Sequence, residues 1–228
     1  MTYRWLLFDA DGTLFDYDRA EAVALRRTFA RFGQPFEPNY AVSYRRINAG
    51  LWQAYERGEI SQTQLRTERF ARLFQTVGLA LDANAFSDHY LYHLAEATFL
   101  IEGAKEVLAA LHGRVGLALI TNGLADVQRP RFGRSTIGGY LSPWIISEEV
   151  GVAKPDPAIF KIAFQAMGDP LKEEVLIIGD SLTSDIQGGN NFGIATCWFN
   201  PRGKPRPAGI RVNYEIRNLQ EIPDLVAG

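Results

Sequence analysis

The residues with the means to do chemistry fall in four places along the 228-residue chain. Asp9 and Asp11, two residues apart, follow the apolar run 5–8 and are themselves followed by Gly12 and Thr13. Thr121 and Asn122 end a second apolar run, and Lys154 lies between Ala153 and Pro155 with Pro157 close behind. Asp180 ends a third run, with Asp185 five residues further on. Carboxylates of this kind suit a hard cation such as Mg²⁺, which takes oxygen ligands and keeps several waters. A hydroxyl, backbone N–H groups and a lysine suit the oxygens of a phosphoryl group. Any one of these motifs is a turn with polar residues. Three of them closing buried strands, with a lysine supplied by a proline-stiffened loop, are a candidate site.

That convergence requires a particular scaffold. Short apolar runs at 5–8, 115–120, 144–146, 175–178, 194–199 and 212–216 read as buried strands. Helical periods separate most of them, at 102–111, around 124–134, at 156–167 and near 183–192, while 147–157 reads as a loop. Strands alternating with helices imply a parallel sheet covered on both faces, an α/β fold whose strand ends share one edge. Pro130 and Gly133 are expected to weaken or kink the helix around 124–134. Residues 201–207, rich in proline, read as an exposed loop.

Between the first strand and about residue 98 the pattern is helical throughout. Ala22, Leu25, Phe29 and Phe32 form one stripe, and Ile47, Leu51 and Tyr55 a second. Ser61 is placed to cap a third helix carrying Phe70, Leu73, Phe74 and Val77, and 83–97 makes a fourth. Short connections suggest an antiparallel four-helix bundle inserted into the α/β core. The expected division is a core of residues 1–16 and 99–228 and a helical domain of residues 17–98.

Composition narrows the function classes. A formal net charge of −2 argues against bulk electrostatic binding of nucleic acid or an anionic membrane. One cysteine, Cys197, excludes an internal disulfide and reads as a small core residue in a reducing compartment. With no apolar run near membrane-spanning length and no leader pattern, the expectation is a cytoplasmic protein acting on small molecules. His89, His93 and His112 do not cluster with other ligands and read as structural.

Taken in order, Asp9-x-Asp11-Gly12-Thr13, Ile120-Thr121-Asn122-Gly123, Lys154-Pro155-Asp156-Pro157 and Gly179-Asp180-x4-Asp185 resemble the motifs of the haloacid dehalogenase (HAD) superfamily of phosphohydrolases. The resemblance implies a Rossmann-like core in which the helical insertion is a cap domain. It implies Asp9 as a nucleophile that becomes an aspartyl-phosphate and Asp11 as the acid and base. Mg²⁺ would be held by Asp9, the Asp11 carbonyl and Asp180. Thr121, Asn122 and Lys154 would hold the phosphoryl group, with Asp185 orienting Lys154 or a metal-bound water. An acid at position 11 favours phosphate esters over carbon–halogen bonds, and a phosphomutase shares the same core groups. Residues 146–157 and 195–200, with Asn48-x2-Leu51-Trp52-x2-Tyr55 in the helical insertion, resemble bacterial pyrimidine 5′-nucleotidases. Phosphoglycolate and sugar-phosphate phosphatases are the alternatives, and a binding module that has lost catalysis is another. Phe15, Tyr17, Asn48 and Trp52 are the candidates for reading a base, by stacking or through an amide.

Overall fold

The computed structural model describes residues 3–227, which divide into two compact units, one of residues up to Tyr17 together with those from Thr98 onward, the other Asp18–Ala97. The first contains a sheet of six strands: β1 (Trp5–Phe8), β2 (Gly116–Thr121), β3 (Trp144–Ile146), β4 (Val175–Gly179), β5 (Ala195–Phe199) and β6 (Tyr214–Ile216). All neighbours run parallel, in the order β3-β2-β1-β4-β5-β6. The switch in strand order falls at β1, where ligands bind in open α/β sheets.

The continuous apolar runs follow from burial on both faces. Leu6, Phe8, Leu119, Ile178 and Cys197 point to one side, against Val107, Leu108 and Leu111. Leu7, Ala118, Ile120 and Ile177 point to the other, against Ile159, Phe160 and Ala163. Those helical residues belong to α5 and α8. In chain order the helices are α1 (Tyr17–Arg31), α2 (Pro38–Glu56), α3 (Gln62–Val77), α4 (Ala83–Glu96), α5 (Ala104–Leu111), α6 (Ala125–Arg134), α7 (Ser147–Val150), α8 (Pro157–Ala166), α9 (Gln187–Phe192) and α10 (Ile222–Ala227). Burial pushes the Cys197 thiol up to about 12, as for an inert core residue.

Register fixes where the chemistry lies. Phe8 is level with Leu119 of β2 and Ile178 of β4. Asp9, Thr121 and Asp180 therefore emerge at one edge of the sheet, and the Asp9 N–H continues the ladder by donating to the Ile178 carbonyl at 2.9 Å.

Two local expectations are corrected. Residues 147–157 are not all loop, because Ser147–Val150 forms one helical turn that ends at Gly151 in the left-handed region. Nor does Pro130 interrupt its helix: α6 is continuous from Ala125 to Arg134 with Pro130 inside it. Val127, Gln128, Arg131 and Phe132 are buried along that helix, so tertiary contacts override the local propensity.

The second unit holds the helical stretch from Asp18 to Ala97. Ser61 caps α3 in a reciprocal box with Gln64, and Gly78 ends that helix at φ +71°. Its interior is aromatic, with Phe70 and Phe86 at 4.9 Å and Phe29 and Phe86 at 4.9 Å between ring centres. Buried Arg69 lies over Phe70 and Tyr90.

Candidate active site

Lys154 is the hub of the site. It is 1% exposed, and its ammonium donates to Asp9 Oδ1 at 2.6 Å, Asp185 Oδ1 at 2.6 Å and the Ile120 carbonyl at 2.8 Å. An ammonium has three donors, so every one finds an acceptor. Burial alone would lower the Lys154 pKa. The Asp185 and Asp9 carboxylates outweigh it and hold the amine protonated, its pKa above the ordinary value.

The backbone around Lys154 is clamped by Asn122. Its side-chain amide donates to the Lys154 carbonyl and its side-chain oxygen accepts the Lys154 N–H, both at 2.8 Å. The Asn122 side chain is thus committed to holding the lysine. Thr121 is buried, and its hydroxyl oxygen accepts the Gly123 N–H at 3.0 Å. Asp185, within a wide π-type turn at Leu182–Ile186, uses its second oxygen to accept the Ser181 N–H at 3.0 Å. Its observed contact is to Lys154. Gly179 leaves room for it, since a Cβ there would sit 2.2 Å from Asp185 Oδ2.

Asp9 is 8% exposed. Burial pushes its carboxyl well above the usual range, Lys154 pulls it back, and Asp185 and Asp180 raise it again. Asp180 is pushed up to about 7, first by burial and then by Asp185. Ligand oxygens of Asp9, Asp180 and Asp185 all lie within 4.8 Å of one another. Carboxylates crowded this closely, with raised proton affinity, are the donor set a hard divalent cation relieves. Gly12 completes the cradle: its φ is +87°, and a Cβ there would lie 2.6 Å from Asp180 Oδ2. The site fits Mg²⁺. Among the described residues this is the one group of three metal-holding side chains, and it includes none of the histidines.

Asp11 has partners that sequence reasoning missed. Its Oδ2 accepts from Gln128 Nε2 at 2.6 Å, and its Oδ1 accepts from Arg131 Nη1. Gln128 and Arg131 lie three residues apart on α6, a spacing that puts two side chains on one helix face. Thr13 was also missed; it is fully buried with its hydroxyl 3.5 Å from Asp9 Oδ2, a long contact. Of the proposed base readers, Phe15 is corrected to a core residue. It is 0% exposed, edge-on to Phe132 at 4.8 Å and covered by the Arg131 guanidinium at 5.0 Å. Tyr17 is half-buried at the start of α1. In the helical unit Asn48 is buried at 5% exposure and Trp52 is half-buried beside Tyr55.

Residues 3–193 match the model of the haloacid dehalogenase-like hydrolases. The chain belongs to this family. It is 34% identical to pyrimidine 5′-nucleotidase YjjG of Escherichia coli (strain K12), over 99% of both chains. It is 36% identical to pyrimidine 5′-nucleotidase PynA of Streptococcus pneumoniae, over 98% of this chain and 95% of that one. The crystal structure of the HAD-hydrolase YfnB of Bacillus subtilis bound to magnesium superposes with a TM-score of 0.94 at 36% identity, covering 99% of each chain. No helix among the described residues is long and apolar enough to cross a membrane.

Proposed function

We propose that this HAD-like hydrolase is a Mg²⁺-dependent phosphatase working through an aspartyl-phosphate on Asp9, with a pyrimidine nucleoside 5′-monophosphate as substrate. The observation that carries the chemistry is the Asp9–Lys154–Asp185 triad, with Asp180 in reach and Asp11 two residues from the nucleophile. The substrate class rests on the near full-length similarity to two pyrimidine 5′-nucleotidases.

The Asp9 carboxylate attacks phosphorus, and the ester P–O bond breaks as Asp11 gives its proton to the leaving oxygen. Water then attacks the phosphoryl group, Asp11 takes a proton from that water, and the bond from phosphorus to Asp9 breaks. Inorganic phosphate leaves and both carboxyl groups return to their starting state. Lys154 balances negative charge on Asp9 and on the transferring group, and Asn122 holds it there. The Thr121 hydroxyl and the backbone N–H of Asn122 bind phosphoryl oxygens. Asp9, Asp180 and the Asp11 carbonyl would hold Mg²⁺, which when bound offsets the repulsion between the carboxylate and an anionic phosphate. Asp185 acts through Lys154.

The deciding assay is phosphate release with Mg²⁺ over dUMP, dTMP and UMP, phosphoglycolate and sugar phosphates. Preference for the nucleotides and loss of release with a chelator are expected. Equal or greater activity on the non-nucleotides removes the nucleotidase reading, and isomerisation of a sugar phosphate without phosphate release would make the protein a mutase. Asp9→Asn is expected to lower turnover by about 10⁴-fold or more while leaving the fold intact. A variant with ordinary activity refutes the covalent route.

A further inference from the structure

Two polar side chains on α6 are buried where apolar ones would pack. Arg131 is 0% exposed and Gln128 is 1% exposed. The hydrogen bonds of both side chains end on Asp11, one on each carboxylate oxygen. Beyond that contact they are unsatisfied: Arg131 Nε and Nη2 and Gln128 Oε1 are buried without a partner. Leaving such atoms unpaired is costly, and an apolar side chain would fill either position without that cost. Holding Asp11 is what the pair accomplishes.

Other features point to the same contact. Gly123 has no side chain where one would block it, since a Cβ there would lie 2.2 Å from Gln128 Nε2 and 2.8 Å from its Cγ. The start of α6 is anchored by the Ala125 N–H donating to Glu148 Oε2 at 2.7 Å. The Arg131 guanidinium lies over the Phe15 ring at 5.0 Å, and Phe15 follows Asp11 by four residues. A carboxylate gripped at both oxygens has its rotation about the Cβ–Cγ bond fixed, so its remaining lone pairs face one direction.

We propose that Arg131 and Gln128 are positioning residues that set the Asp11 carboxyl for proton transfer to the leaving oxygen. The inference rests on Asp11 acting as the acid in the function proposed above. Neither residue touches the phosphoryl group; each acts through Asp11.

The test exploits leaving groups. An alkyl ester such as dUMP needs a proton to leave, whereas p-nitrophenolate departs from p-nitrophenyl phosphate without one. The readout is kcat/KM, which reports the steps up to transfer onto Asp9. For Arg131→Met, kcat/KM on dUMP is expected to fall roughly 10- to 100-fold, a part of the usual effect of a general acid. On p-nitrophenyl phosphate the fall is expected to be under about 3-fold, with Arg131→Lys restoring part of the dUMP rate. Gln128→Leu and Gly123→Ala, which displaces Gln128 from Asp11, should show the same selectivity and keep the test alive if Arg131→Met does not fold. Equal losses on both esters in the folded variants would make the pair structural and overturn the proposal. A rise on dUMP would show that the contact parks Asp11 and overturn it as well. Asp11→Asn is the control: selective loss in it, alongside non-selective loss in the α6 variants, refutes the positioning role alone. Non-selective loss in Asp11→Asn refutes the acid reading itself and the positioning role with it.

Discussion

Replacing Lys154 with methionine tests whether the site is organised around one buried ammonium. The side chain keeps its length and apolar stem and loses only the charged head. Two contacts of 2.6 Å to carboxylate oxygens disappear, together with the bond to the Ile120 carbonyl. With an effective dielectric of about 20, each charge contact is worth about 6 kcal/mol before the cost of drying the ions is subtracted. The net loss from breaking a buried pair is about 3–5 kcal/mol, because the surviving carboxylates are left uncompensated. For a chain of this size that corresponds to a fall in Tm of about 6–20 °C. The assay is thermal unfolding by calorimetry in chelator at pH 8. The loss should shrink at lower pH, since Asp9, already pushed up by burial, then takes a proton and no longer needs a counter-charge. Added Mg²⁺ should recover more of the Tm in the variant than in the parent protein, because an ion is then the only strong counter-charge left. A variant melting within about 2 °C of the parent in chelator would refute the triad as a structural element.

Gly12→Ala should weaken Mg²⁺ binding measured by titration calorimetry. It forces a Cβ to 2.6 Å from Asp180 Oδ2 and costs about 1–2 kcal/mol in the left-handed region; binding as tight as in the parent protein would show that Asp180 is not held there. Mg²⁺ affinity should also depend on pH. Asp180 takes up a proton as pH falls through about 7, and a protonated carboxyl is a poor ligand. Affinity should therefore drop by roughly tenfold or more per pH unit below 7, since Asp9 is also raised, and a flat profile between pH 5.5 and 7 would refute Asp180 as a ligand.

The strands that carry the site were legible because sheet burial on both faces leaves unbroken apolar runs, and a polar residue closing such a run is conspicuous. Leu6 and Phe8 against one helix layer, with Leu7 against the other, are the structural reason for the pattern. The Asp9–Lys154 contact joins residues 145 apart, and only the order of the motifs hinted at it. Gln128 and Arg131 were not legible as partners of Asp11. Pro130 between them marked the segment as a weakened or kinked helix, and a polar residue near a proline carries no sign that it will be buried. Phe15 misled in the opposite sense. An aromatic four residues after Asp11 looked available for stacking, but its whole surface is taken by Phe132, Arg131 and the core. Periodicity identifies which residues face inward on a regular element; it is silent on turns, where Thr13 and Phe15 sit.

The charge balance explains why these groups belong together. Asp9, Asp180 and Asp185 meet within 4.8 Å, and Lys154 is the one cation bonded to any of them among the described residues. Ionised together they leave two negative charges uncompensated, and this repulsion adds to burial, the larger cause, in raising the proton affinity of Asp9 and Asp180. Asp9 and Asp180 would hold a divalent ion that offsets this excess, and the ionised form of Asp9, the nucleophile proposed above, would then be favoured. Asp11 is paired with its own cation, Arg131. Asp11 and the Asp9–Asp180–Asp185 cluster are thus held by different cations, Arg131 and Lys154, while the Asp11 charge still adds to the upward push on Asp180. With a divalent ion bound and Asp11 ionised beside Arg131, an arriving phosphate dianion would meet a site of near-zero charge; a proton on Asp11 would leave the Arg131 charge to attract it.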